Sequence, residues 1–255
     1  MKITKIDYIL SLIISLSDLR INSRGNRDYR RSMKEIEQIF CLIKFGQKEH
    51  VEKLLKEGEL YFNTVSTYAE LDDEERGDAN EGAEWINNAQ VVKIKVEHPT
   101  LGSLELFPTT NQLSKLRQYN FYYLSFSLYA ISPRSFEKTD SFQIDNRMLS
   151  FSDTAILIKE PYKFINSIVS KLKKKGIKYE ANIVTYDDLC REGNIELSPF
   201  IKKMEHQHQM EFRIIIENKD NQPKLISIGS IEDYSVIVSS ESMIATIWQA
   251  KKQVE

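Results

Sequence analysis

Apolar positions in this chain come in short runs that switch between two periods. IFCLIKF (39–45) is a compact apolar run of strand length. In QKEHVEKLLKEG (47–58), His50, Val51, Leu54 and Leu55 recur at helical spacing before Gly58, which predicts a helix ended by a glycine C-cap. ELYFN (59–63) follows as a second strand. Further strand patterns lie at 90–97, 121–129, 154–159, 179–186, 210–217, 223–229 and 234–238. PYKFINSIVSKLKKKG predicts a helix from Pro161 in its first turn to Gly176 past its end, with Lys171 and Lys173 to Lys175 near the negative end of its dipole. Strands dominate the second half with no regular helix between successive ones. The pattern predicts an α+β fold with mixed, mainly antiparallel sheets, and excludes a doubly wound parallel sheet.

The first 35 residues read differently. IDYILSLIISLSDL (6–19) is apolar for about fifteen residues, shorter than the roughly twenty a membrane span needs, and Asp7 interrupts it. It predicts an amphipathic helix with no membrane role. INSRGNRDYRRSM follows, where Arg24, Arg27, Arg30 and Arg31 face only Asp28, as a solvated linker or a basic arm for phosphates. The domain division is therefore 1–35, helix and basic linker, and 36–255, one folded domain.

Composition narrows the function classes. The 255-residue chain is 41% hydrophobic, 10% aromatic and carries a formal charge of -2, so it folds but presents no overall basic field to nucleic acid or membrane. Its two cysteines, Cys41 and Cys190, stand alone, which argues against a disulfide framework or zinc site and fits a reducing, cytoplasmic setting. Nine glycines and no phosphate-binding glycine loop argue against nucleotide-binding loops of the Gly-rich type. His206 and His208 form an HxH without an identifiable third ligand, so no metal is expected. The acidic LDDEERGDANEG (71–82) lacks the register of a calcium loop and suits a surface loop or a site border. No G-x-S-x-G elbow is present.

HQHQMEFRIII (206–216) carries the sharper signal. Strand alternation sets Phe212, Ile214 and Ile216 on one face and Gln209, Glu211 and Arg213 on the other. The plain account of Glu211 with Arg213 is an ion pair on a solvated face, and of Ser125 with Ser127 the polar side of a strand.

Taken in order, three segments resemble ADP-ribosyltransferases across about residues 39 to 240: the strand-helix-strand IKFGQKEHVEKLLKEGELYFN, the serine-bearing strand FYYLSFSLY, and the Gln209-x-Glu211 strand. With the GDANEG element and Glu211-Phe212-Arg213, the order also looks like that of a bacterial family encoded near phage-defence and toxin genes. The resemblance implies a split β-core with flanking helices and NAD as substrate. It implies Glu211 as the catalytic carboxylate, Gln209 to orient an amide or amine acceptor, and Ser125 and Ser127 to hold the site. For NAD it implies Lys44 or Phe45 before Gly46 at the end of the first strand, with Tyr61, Asn63, Tyr68 and Arg213 as further contacts. The sequence departs from the pattern in two places. The first-strand position is normally Arg or His, and Phe126 stands where many members carry Thr. A toxin or defence effector follows, acting on RNA or DNA ahead of protein because of the arginine-rich arm, with an antitoxin or inhibitor protein as possible partner.

Overall fold

The computed structural model describes residues 38–73, 75–88, 94–100, 102–106 and 116–250. The expected helix and basic arm at 1–35 lie outside these residues.

In chain order the elements are β1 (Cys41–Gly46), α1 (Lys48–Glu57), β2 (Glu59–Thr64), α2 (Val65–Glu70), β3 (Ala83–Asn87), β4 (Ile94–His98), β5 (Gly102–Leu106), β6 (Leu116–Tyr119) and β7 (Tyr123–Ile131). There follow β8 (Ser141–Phe142), β9 (Thr154–Ile158), α3 (Pro161–Lys174), β10 (Tyr179–Ile183), β11 (Thr185–Asp187), β12 (Asn194–Glu196) and β13 (Ile201–Lys203). The last are β14 (Glu211–Glu217), β15 (Lys224–Ser227), β16 (Ser235–Ser239), α4 (Ser240–Ala245) and β17 (Trp248–Gln249). The α+β class and the predominantly antiparallel pairing follow the sequence pattern.

The main sheet runs β10-β14-β7-β1-β9-β16, and off this path β2 pairs with β7 and β15 with β2. Strand β7 is its axis. Along one edge it pairs with β14 from Glu211↔Tyr129 to Glu217↔Tyr123. Along the other edge it is shared: β1 takes the end near Ile131, as far as Ile43↔Tyr129, and β2 takes the start, with Asn63↔Ser125 and Thr64↔Leu124. Between these two contacts the sheet opens beside Phe126–Leu128. Helix α1 makes this possible, because it carries the chain from the end of β1 to the start of β2. It closes on Gly58 at φ 62, where a Cβ would meet the Gly229 carbonyl oxygen at 2.1 Å.

One face of the sheet holds the larger core. Leu42, Leu124, Phe126, Ile156, Ile158, Phe212, Ile214 and Ile216 pack there against Val51 and Leu54 of α1 and Phe164, Ile168 and Leu172 of α3. The opposite face carries a second cluster at the β1 end, including Ile43, Phe45, Tyr129, Met148 and Met243. Strand β7 is buried on both faces, which explains its nearly continuous apolar run.

Four local expectations need correction. The strand expected at 179–186 breaks into β10 and β11, because after Val184 the chain leaves β14: the Thr185 amide donates to the Phe200 carbonyl and β11 pairs with β13. The strand expected from 210 begins at Glu211, since Met210 adopts φ 39, ψ 50, a left-handed conformation that ends the preceding 3-10 turn. Gln209 belongs to that turn and not to the strand. In α1 only Val51 and Leu54 are buried, while His50 faces outward.

Phe62 has no solvent exposure and its ring centroid lies 5.6 Å from that of Phe126, joining β2 to β7 at the opening. Phe62→Ala should therefore cost about 3–5 kcal/mol of folding free energy, read from the urea midpoint at unchanged slope. A loss below about 1 kcal/mol would show that β2 is not held through this contact.

Candidate active site

Strand alternation and register set the site. Across β7 and β14, Ser127 stands opposite Arg213 and Tyr129 opposite Glu211, so these side chains share the face away from the larger core. Glu211 is buried with 4% exposure, too dry for a solvated ion pair. Its Oε1 accepts from Ser127 Oγ at 2.5 Å and from Arg213 Nε at 2.6 Å, and its Oε2 lies 3.1 Å from Lys202 Nζ. Its backbone amide donates to the Tyr186 hydroxyl at 2.9 Å. Burial by itself would push the carboxyl up. The charges of Arg213 and Lys202 and the hydrogen bonds from Arg213 and Ser127 override it and hold Glu211 well below the usual carboxylate range. The group is ionised at any physiological pH.

Arg213 joins two carboxylates. Beyond Glu211, its Nη1 and Nη2 donate to Glu81 Oε1 and Oε2 at 2.7 and 3.0 Å, a two-point fork. Glu81 Oε1 also accepts from the Tyr123 hydroxyl at 3.0 Å. The acidic segment read as a surface loop or site border is thus a border whose final Glu is interior.

Lys44 serves the opening itself. Because β1 parts from β7 after Ile43, the Ser127 carbonyl has no β1 amide to accept from, and Lys44 Nζ donates to it at 2.8 Å while lying 5.0 Å above the Phe126 ring. Burial lowers the Lys44 ammonium to about 8, against the attraction of Glu211.

Gln209 arrives at the site by a different route from the one expected. Its Oε1 accepts from Lys202 Nζ at 2.8 Å, and its Nε2 donates to the Glu75 carbonyl at 2.6 Å. The amide fixes Lys202 beside Glu211 and ties down the acidic loop. His208 reaches the same loop, with Nε2 2.7 Å from Glu75 Oε2.

A cleft of about 660 Å³, within the range of small-molecule sites, runs through the opening of the sheet. Lys44, Phe45, Gly46, Tyr61, Tyr68, Ser125, Ser127, Gln209, Glu211 and Arg213 all line it. Of the residues that the resemblance names for catalysis or NAD, Asn63 alone is not in that lining; its Oδ1 accepts from the Thr64 amide and its side chain hydrogen-bonds Tyr68. Burial raises the Tyr68 phenol, so it enters the cleft as a neutral donor. Three participants escaped sequence reasoning. Glu81 left a signal, since an arginine on the buried strand Glu-Phe-Arg-Ile-Ile-Ile needs more than one carboxylate's worth of hydrogen bonds, and GDANEG offers one. Lys202 and Tyr186 left none, because nothing local marks a lysine that will be buried or a half-buried tyrosine whose hydroxyl will meet the Glu211 amide. Among the described residues no group of three His, Cys, Asp or Glu side chains is arranged to hold a metal.

Arg213→Met should remove the cation that both carboxylates share and cost about 3–5 kcal/mol of stability, the usual penalty for leaving a buried charge unpaired. Adding Glu81→Leu to that variant should return part of the loss, because one orphaned carboxylate goes with it. Denaturation of the single and double variants measures both, and a double variant less stable than the single would refute the shared-cation account.

Comparison with protein-family models, with curated proteins and with solved structures finds no match for the chain.

Proposed function

We propose that this chain is an NAD-dependent ADP-ribosyltransferase-like enzyme, a toxin or anti-phage effector that moves ADP-ribose from NAD to a cellular macromolecule. The observation that carries this reading is Glu211, buried, ionised and oriented by Ser127 and Arg213 where the cleft crosses the sheet. The opening between β1 and β2 beside one shared strand supports the split β-core that the resemblance implies.

The chemistry asks for these groups. Cleavage breaks the bond between ribose C1′ and the nicotinamide nitrogen; the electron pair leaves with neutral nicotinamide and C1′ takes on oxocarbenium character. A fixed carboxylate beside the ribose stabilises that cation and accepts a hydrogen bond from the 2′-hydroxyl. The acceptor then bonds to C1′ and releases its proton. Glu211 takes the carboxylate role and Ser127 fixes its orientation. The cleft is lined by the cations Lys44, Arg76, Lys202 and Arg213 and the carboxylates Glu59, Glu81 and Glu211, which leaves one positive charge in excess for the pyrophosphate. Phe45, Tyr61 and Tyr68 offer ring faces and edges for nicotinamide.

One observation favours a second reading, an NAD glycohydrolase with water as acceptor. Both ends of the Gln209 amide are engaged inside the protein, by Lys202 and by the Glu75 carbonyl, so the group expected to orient an amide or amine acceptor is already occupied. Incubation with NAD labelled in its adenosine half separates the readings. Label on RNA, DNA or protein supports transfer, free ADP-ribose supports hydrolysis, and intact NAD overturns both in favour of a binding module.

Glu211→Gln keeps the size and removes the charge, and NAD cleavage should fall by at least about a hundredfold while far-ultraviolet dichroism is retained. Unchanged turnover in the folded variant would remove Glu211 from the reaction. A pH dependence follows from Lys44. Its folded value of about 8 means it is a cation below that pH and neutral above it, so the KM for NAD should rise as pH passes through about 8. Lys44→Met should show a high KM that is flat across the same interval. A wild-type KM independent of pH there would detach Lys44 from the pyrophosphate.

A further inference from the structure

Beyond the cleft, the protein presents an aromatic surface that the proposed reaction does not use. Tyr119 and Tyr122 are 41% and 45% exposed. Tyr119 stacks on Phe121 with centroids 5.5 Å apart and planes at 26°, and Tyr122 meets Tyr123 edge-on at 5.0 Å. These rings are held in place. The Tyr119 hydroxyl donates to the Ala79 carbonyl at 2.7 Å, and Phe121 lies so close over Gly82 that a Cβ there would come within 2.7 Å of its ring. Half-exposed tyrosines already fixed by the fold are side chains that interfaces favour, since little rotamer freedom is left to lose on binding.

The charges beside the rings select the partner. Glu84 accepts from Asn120 Nδ2 at 2.7 Å, and Glu180 projects from β10; burial and the fields of these two carboxylates all raise the Tyr122 phenol, which fixes both acids near that ring. Of the basic side chains close by, Lys178 and Lys219 lie 3.7 and 3.4 Å from the two oxygens of Glu217, and Arg117 Nε donates to Asn80 Oδ1. With both lysines turned to Glu217, the charges left beside the Tyr122 ring are the two carboxylates, where an ammonium or guanidinium group gains both a carboxylate and a ring face. The surface also borders β10, which among the described residues pairs in the main sheet only with β14, so that its other edge offers backbone groups to an extended chain.

We infer that Tyr119, Phe121 and Tyr122, with Glu84 and Glu180, form a docking surface for a basic, extended segment of a partner protein. The inference does not depend on the NAD reading and holds equally for a catalytically silent protein. It is adjacent to the cleft all the same, because Tyr123 starts β7 and its hydroxyl reaches Glu81.

A labelled peptide of alternating lysine and threonine, titrated at low and high salt, is the probe, with labelled poly-uridine as the polyanionic alternative. The peptide should bind wild type, weaken with salt, and bind at least about tenfold more weakly to Tyr122→Ala and to Glu180→Gln, while Tyr122→Phe keeps most of the affinity. Hydrogen exchange on the wild type should show new protection at 119–123 and 179–183 when the peptide is bound, a measurement that stands even where a variant misfolds. No peptide binding, equal binding by wild type and both weakened variants, protection elsewhere, or preference for poly-uridine at this surface would each overturn the inference.

Discussion

The Arg213 guanidinium, shared between Glu81 and Glu211, is the interaction on which the cleft depends. Its two carboxylates come from segments 130 positions apart in the chain, the acidic loop and β14, so closing this contact sets the loop over the sheet. The Glu211 side of the contact then gathers Ser127 from β7 and Lys202 from β13, and Lys202 in turn recruits Gln209 and, through it, the Glu75 carbonyl. Removing charges from water costs several kcal/mol per ion, and their mutual attraction returns about as much, so a buried set like this adds little net stability against well-packed apolar side chains. An arrangement with small net benefit and high cost of error fits a site that needs one carboxylate in one orientation.

That orientation also decides the electrostatics of the cleft. Two cations hold Glu211 ionised, which a carboxylate this deeply buried would not otherwise be, and they leave it with both oxygens occupied. Lys44 stands apart from this set. Its ammonium is tied to a backbone carbonyl that the separation of β1 from β7 leaves without a strand partner, so the same gap that creates the cleft also supplies its cation. Burial has already weakened that ammonium, and any anion bound beside it would raise its proton affinity again.

Much of the fold was legible because local pattern and tertiary role agree. Gly58 ends α1 as its position predicts, Pro161 opens α3, and the alternation in β14 separates Phe212, Ile214 and Ile216 from Glu211 and Arg213 in the folded chain. The serine pair at 125 and 127 was legible for the same reason, as two polar positions of period two in an otherwise apolar strand. Lys202 and Tyr186 were not, since the pairing that sets them opposite one another, β13 against β11, involves three-residue strands with no apolar period to read. Strand β4 overlaps the strand read at 90–97, whereas the three-residue β12 shares the lack of a period with β11 and β13.

Gln209 joins these threads. A continuous strand through 209, 211 and 213 would align all three side chains on one face, and the sequence pattern invites that picture. Met210 breaks it by taking a left-handed conformation that a non-glycine residue adopts at a cost of order 1–3 kcal/mol where the surroundings enforce it. Its surroundings do: the Met210 carbonyl accepts from the Ala130 amide and its sulfur from the Tyr129 hydroxyl at 3.0 Å. The kink ends the ladder one residue before the catalytic candidate and turns the Gln209 amide away from the sheet, toward Lys202 and the acidic loop. Gln209 therefore reaches the cleft wall through a turn that a continuous strand would not contain, and from there it positions Lys202, whose ammonium holds the second oxygen of Glu211.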